Sequence, residues 1–197
     1  MKTRSKLRLA VVAAVAVASV AVPAAIAGTY TFTGSITTGD VHQTNRLDRN
    51  GIATTCNMFP YKANPGTFPD AASYADVYDF TNLTQPQCVT VRLTPHCGVN
   101  FATFVGGYDG YTPADPSLNW LGDPGVSAAD SQQQVFQFPV AANSHFQVVV
   151  QSVSSNSSTC AFYSLTVSYG KIAKSIAGGS GVASAAGLAP GAAWDHR

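Results

Sequence analysis

Between Thr29 and Gly170 the apolar residues recur at every second position, in short runs separated by turn residues. That period of two is the mark of strands with one face in a core, and it constrains the fold more than any other feature of the chain. In Thr29–Ile36, Tyr30, Phe32 and Ile36 share one face, and Thr29, Thr31 and Thr33 the other. Asp76–Thr81 places Tyr78 and Phe80 in phase. Cys88–Leu93 sets Val89, Val91 and Leu93 inward against Thr90 and Arg92. Val99–Val105 is a further strand. Val135–Val140 aligns Phe136, Phe138 and Val140. His145–Val153 sets Phe146, Val148 and Val150 against Gln147, Val149 and Gln151. Ala161–Tyr169 lines up Tyr163, Leu165, Val167 and Tyr169.

Two segments break the pattern. Thr37–Ala75 is rich in Gly, Pro and Asn, and is too long for a structureless loop; short strands or turns pinned by Cys56 are expected inside it. Gly106–Gly125 reads as loop with at most one short strand near Leu118–Leu121. With about eight short strands and no convincing helical period, the expected fold is an all-β antiparallel sandwich, jelly-roll-like, over residues 28–170.

Residues 1–27 carry Lys2, Arg4, Lys6 and Arg8, then an Ala/Val-rich run, then Pro23 and Ala25-Ile26-Ala27. This is the layout of a signal peptide cleaved after Ala27, and it predicts a secreted, extracellular or periplasmic protein. Residues 171–197, rich in Gly, Ala and Ser, read as a flexible tail, with a weakly supported helix over Lys171–Ala177.

Loss of the four leader cations takes the formal charge from +1 to −3. Every acid is Asp. From Gly28 to Gly170 only Arg46, Arg49, Lys62 and Arg92 are basic. No basic stripe is available for nucleic acid and no polybasic cluster for a membrane surface. Scarce Lys and absent Glu, with abundant Thr and Ser, also suit strands better than helices.

Cys56, Cys88, Cys97 and Cys160 form an even set in an exported chain, which favours two disulfides among three connectivities. Cys97 follows one strand and Cys160 opens the last. If those strands are antiparallel neighbours, Cys97 meets Cys160 and Cys56 is left to tie the N-terminal loop to Cys88.

The order YDFTN (Tyr78–Asn82), CVTVRL (Cys88–Leu93), VFQFPV (Val135–Val140), FQVVVQSV (Phe146–Val153) and YSLTVSYG (Tyr163–Gly170) resembles the bacterial pre-peptidase C-terminal domain family, above all its cysteine-bearing secreted members. The resemblance covers Ala75–Gly170. It implies a jelly-roll-like, non-catalytic domain of the kind appended to secreted hydrolases, where it assists secretion, substrate attachment or stability. Some relatives of the fold bind calcium or insoluble polymers. The family's acidic strand, Asp-Leu-Tyr-Leu in type, is replaced here by Asn100-Phe101-Ala102-Thr103-Phe104.

Reactive constellations are sparse. No serine lies in a Gly-x-Ser-x-Gly elbow, and Ser180 falls in the tail. Asp76/Asp79 and Asp109/Asp115 could serve as carboxylate pairs, but turn and strand-edge roles fit them better. Asp109, Asp115, Asp123 and Asp130 in or beside one long loop could offer oxygens to calcium, Asp109, Asp115 and Asp123 above all; the competing reading is Asp-Gly and Asp-Pro turns. Tyr108, Tyr111 and Trp120 in the same loop could stack on a sugar or anchor a partner, or else cap the core. Arg46 and Arg49 read by default as a surface ion pair with Asp48, and alternatively as ligand contacts.

The functional expectation is a secreted non-catalytic module that binds an extracellular polymer, surface glycan or protein. No cofactor is expected, calcium aside. The alternatives are a small hydrolase assembled from scattered residues such as His96 and His145, or a structural subunit of an extracellular assembly.

Overall fold

The computed structural model describes residues 28–69, 72–82, 84–98, 101–153 and 159–170. The expected signal peptide (1–27) and tail (171–197) lie outside them. Eleven strands follow in order: β1 (Thr29–Ile36), β2 (Val41–Gln43), β3 (Arg46–Leu47), β4 (Thr67–Phe68), β5 (Ser73–Thr81), β6 (Gln87–Pro95), β7 (Thr103–Tyr108), β8 (Trp120–Gly122), β9 (Gln134–Val140), β10 (His145–Ser152) and β11 (Cys160–Gly170). No helix occurs among the described residues.

The strands form a four-stranded sheet, β1-β11-β6-β9, and a five-stranded sheet, β2-β5-β10-β7-β8, with β3-β4 as a separate ribbon. All pairings are antiparallel. With β2, β3 and β4 set aside, the remaining strands can be numbered in chain order. The first sheet then holds the first, eighth, third and sixth, and the second sheet the second, seventh, fourth and fifth. That is the double Greek-key wiring of a jelly roll. The added β2, β3 and β4 fall inside the long segment Thr37–Ala75. One strand is displaced from its expected place: β7 runs on through Gly106 and Gly107 to Tyr108, into the segment read as loop. Glycine hides the alternation there because the Phe138 ring takes the space of a side chain, 2.4 Å from where a Gly107 Cβ would lie.

The alternation fills the space between the sheets. Val89, Val91 and Leu93 of β6, Phe136 and Phe138 of β9, and Leu165 and Val167 of β11 face Val105, Phe146, Val148 and Val150 across it. Within the five-stranded sheet Phe80 stacks on its cross-strand partner Phe146 with ring centroids 5.1 Å apart, and Phe138 of the other sheet meets Phe146 edge-on at 5.7 Å, joining the layers. Burying each such side chain contributes about 1.5–3 kcal/mol.

A second core lies on the opposite face of the five-stranded sheet. Leu47, Ala75, Phe104, Tyr108, Trp120 and Val149 are buried there, with Tyr61, Val77, Tyr111 and Val153 packed against them. Simple alternation would turn Val149 and Gln151 to solvent. Instead the β2–β4 segment and the loop before β8 cover them. Several polar groups enclosed by this cover bond one another. Gln43 Nε2 donates to Ser73 Oγ and to Gln151 Oε1, both at 2.7 Å. The Tyr111 hydroxyl donates to Gln43 Oε1, and its backbone N–H to Gln147 Oε1 at 2.5 Å.

Residues 51–57 close one open side of the sandwich. Thr54 N–H donates to the Asp123 carbonyl at 2.9 Å, and the Thr54 carbonyl accepts Gln137 N–H from β9 at 2.8 Å. One buried residue thus bridges the edges of both sheets. Cys56 is disulfide-bonded to Cys88 of β6, which holds this segment down, and Cys97 is bonded to Cys160. The second pair follows from the β6–β11 ladder, where Pro95 lies opposite Tyr163 and the flanking cysteines fall together.

Candidate functional site

An open concavity that gathers charge lies between the β3-β4 ribbon and residues 125–127. Its volume is about 370 Å³. The ribbon places Arg46 directly opposite Phe68. The Arg46 guanidinium carbon sits 4.5 Å from the Phe68 ring centroid, a cation–π contact. The Asp48 N–H closes the ribbon on the Gly66 carbonyl at 2.9 Å. Arg49 Nη1 donates to Ser127 Oγ at 2.5 Å, so the second guanidinium spans the groove to its far wall. The Asp48 carboxylate accepts the Arg49 backbone N–H at 2.7 Å.

Arg46 is only 7% exposed. Its Nη1 is buried and has no hydrogen-bond partner. Burial, and the proximity of Arg49, hold its pKa below the ordinary value, while Asp48 offsets part of that shift; the group stays cationic. The expected surface ion pair is therefore not what forms. Among the described residues the one ion pair within 4.0 Å is Lys62–Asp123, and Arg46 instead packs over the Phe68 ring.

The floor of the groove is a close approach of two backbones. Gly51 N–H donates to the Gly125 carbonyl at 2.9 Å. Gly125 has φ +73°, and a Cβ there would lie 2.3 Å from the Ile52 nitrogen. Only glycine meets both conditions. Beneath it, Lys62 Nζ donates to Asp123 Oδ1 at 2.7 Å, to Asp123 Oδ2 at 2.9 Å and to the Ile52 carbonyl at 2.7 Å. Asp123 Oδ1 also accepts Gly125 N–H at 2.5 Å. Burial pushes the Asp123 carboxyl up, and the Lys62 ammonium and the Gly125 N–H pull it back. The buried pair staples both loops under the groove. Sequence reasoning missed Lys62; its one signal is that it is the only lysine between Gly28 and Gly170.

The expected calcium ligands are not brought together. The Asp123 carboxylate is taken up by Lys62. Asp115 caps its own turn, accepting Ser117 N–H at 3.0 Å and Ser117 Oγ–H at 2.6 Å. Asp109 is exposed. Asp130 accepts Gly98 N–H at 3.1 Å. No group of three or more His, Cys, Asp or Glu that could hold a metal occurs among the described residues.

The expected aromatic platform is likewise corrected. Tyr108 and Trp120 are 1% and 4% exposed and sit in the second core, with Tyr111 half-buried against them. They are turned inward because the outer face of β7 and β8 needs covering; this is the core-capping alternative. Lys62 Nζ lies 5.6 Å from the Trp120 ring centroid, so the indole helps hold the clamp.

His96 stacks on Phe162 with centroids 5.3 Å apart, and His145 Nδ1 lies 3.2 Å from Thr81 Oγ1. Asp76 and Asp79 face opposite sides of β5. Asp79 accepts from Gln147 Nε2 at 2.7 Å, whereas Asp76 accepts the hydroxyl of Tyr163. Ser180 lies outside the described residues.

No protein-family model matches the chain, and no curated protein matches it. Among solved structures, the C-terminal carbohydrate-binding module (CBM6) of LamC, a marine laminarinase from Zobellia galactanivorans, matches with 9% identity over 68% of this chain and 99% of that one. The TM-score is 0.27, too loose a superposition to bear on function.

Proposed function

We propose that the protein is a secreted, non-catalytic β-sandwich module that binds an extracellular polymer or protein through the groove between the β3-β4 ribbon and residues 125–127. One observation carries this reading. Two of the four basic residues between Gly28 and Gly170, Arg46 and Arg49, line one open concavity. Paired cations in a concavity favour an acceptor of opposite charge there. Two disulfides suit an oxidising exterior. The leader at residues 1–27 and the resemblance to pre-peptidase C-terminal domains belong to the same proposal.

The test is retention of the purified protein on a panel of insoluble cell-wall polymers and on a glycan array, beside a Val126→Trp variant. Val126 is half exposed and lines the groove, so the indole obstructs it without entering a core. Retention by at least one polymer, reduced several-fold in the variant at unchanged melting temperature, is expected. Equal retention of the two proteins would remove the groove as the contact. Turnover of a hydrolase substrate, lost on mutating His96 or His145, would replace the proposal with an enzyme.

A further inference from the structure

The geometry points to a ligand class for this groove: a sugar acid, in which one carboxylate is carried on an otherwise neutral oligosaccharide. The inference rests on the binding reading above and goes further by assigning the chemistry that each groove residue recognises.

Charge comes first. Four cations stand against nine Asp between Gly28 and Gly170. Lys62 is neutralised by Asp123, and Arg92 lies across the molecule on β6, where it donates to Gln133 at 3.3 Å. Arg46 and Arg49 are thus half the positive charge of the domain, concentrated in one groove. A group of opposite charge is favoured there and disfavoured over the rest of the acidic surface. A densely charged polyanion would meet repulsion from Asp48 in the groove and from the net negative charge of the domain, over a range of about 8 Å. One carboxylate among neutral units avoids that penalty.

Shape and hydrogen bonding come next. The Arg46 guanidinium is seated over the Phe68 ring, with its carbon 4.5 Å from the ring centroid, and so is held in place at the groove. A guanidinium held in this way is suited to a charge-assisted bond to a carboxylate. Arg49, anchored on Ser127, supplies a second cation on the facing wall. The groove also holds the Asp48 carboxylate, which has acceptor capacity beyond the Arg49 N–H. Sugar hydroxyls provide such donors, and a carboxylate side chain on a peptide does not. Val126 and Phe68, both about half exposed, offer apolar surface to the C–H face of a pyranose ring.

The experiment is titration calorimetry of the full-length secreted protein with a xylo-oligosaccharide bearing a single glucuronate. The same oligosaccharide with its carboxyl reduced to the alcohol, and an acidic peptide with blocked termini, are run beside it. The acid is expected to bind, and the reduced sugar to bind at least ten-fold more weakly, the loss of one charge-assisted contact. Arg49→Gln, at an exposed position, is expected to weaken the acid roughly ten-fold without changing the melting temperature. Arg46→Lys keeps the charge and loses the fork, and is expected to weaken it as well. Because Arg46 is buried and its variant could unfold, the exposed Arg49 variant is the deciding one.

Equal affinity for acid and reduced sugar, or no effect of Arg49→Gln, would overturn the sugar-acid assignment. If Val126→Trp still abolished binding of both sugars, the binding module would stand and only its ligand class would fall. Tighter binding of the peptide than of the sugar would also overturn the assignment. Absence of binding in every arm, with no retention on any polymer, would overturn both proposals together.

Discussion

Lys62 and Asp123, sixty-one residues apart, form a buried ion pair whose side chains are 3% and 0% exposed. The pair joins the segment before β4 to the loop after β8, and so fixes the two backbones that make the groove floor. Removing one partner strands a charge in a dry site. Lys62→Met is expected to lower the unfolding free energy by about 3–5 kcal/mol. The double variant Lys62→Met, Asp123→Leu should cost less than the sum of the singles. Urea unfolding of the four proteins measures the coupling, and strict additivity would refute the pair.

Gly125→Ala meets two obstacles, a positive φ and the Ile52 backbone. Destabilisation of about 1–3 kcal/mol is expected. Polymer retention should fall as well, since the Gly51–Gly125 bond is part of the groove. Gly39→Ala, with only a side-chain oxygen 3.6 Å away, is the control and should change neither. Similar melting temperatures for the two variants would contradict this.

Asp76 supplies a pH dependence. Burial raises its carboxyl, the Tyr163 hydroxyl bond lowers it, and the charge of Asp40 raises it further; Tyr78 reaches Tyr163 oxygen to oxygen at 2.6 Å. A carboxyl whose folded pKa exceeds its unfolded value favours the folded state while protonated. Its contribution is complete below the unfolded value of about 3.9 and is lost as pH rises through the raised value. Melting temperatures of the wild type minus those of Asp76→Asn should therefore fall as pH rises from about 4. A difference that grows across that range would show that the ionised form is the stabilised one.

The disulfides differ in the chain they close, with sequence separations of 32 for Cys56–Cys88 and 63 for Cys97–Cys160. On loop entropy each contributes about 4 kcal/mol, the longer slightly more. Cys56→Ser with Cys88→Ser should also loosen residues 51–57 and weaken groove binding, whereas Cys97→Ser with Cys160→Ser should leave the groove intact. Peptide mapping without reductant checks the pairing, and a Cys88–Cys97 peptide would contradict it.

The strands were legible because each long one has a face in the central core. Phe136, Phe138 and Val140 are written at the period that the pleat imposes, and so are Leu165 and Val167. The cysteine pairing was legible for the same reason: once β6 and β11 lie side by side, the ends that carry Cys97 and Cys160 coincide. The candidate site was legible only as an anomaly of composition, two arginines close together in a chain with few cations. That Phe68 would lie under Arg46 was not, since a two-residue ribbon has no periodicity to read.

Local sequence by itself determined the class of the fold. Alternation is a property of neighbouring residues, and each strand announces its inner face without reference to the rest of the chain. Tertiary structure alone decided what became of the outer face of the five-stranded sheet. Tyr108, Trp120 and Asp123 read as loop residues available to ligand or metal. They are buried because a segment some sixty residues earlier in the chain folds over them and brings Lys62 to the carboxylate. Burial of that kind depends on contacts between distant segments, and no local pattern records which partner will arrive.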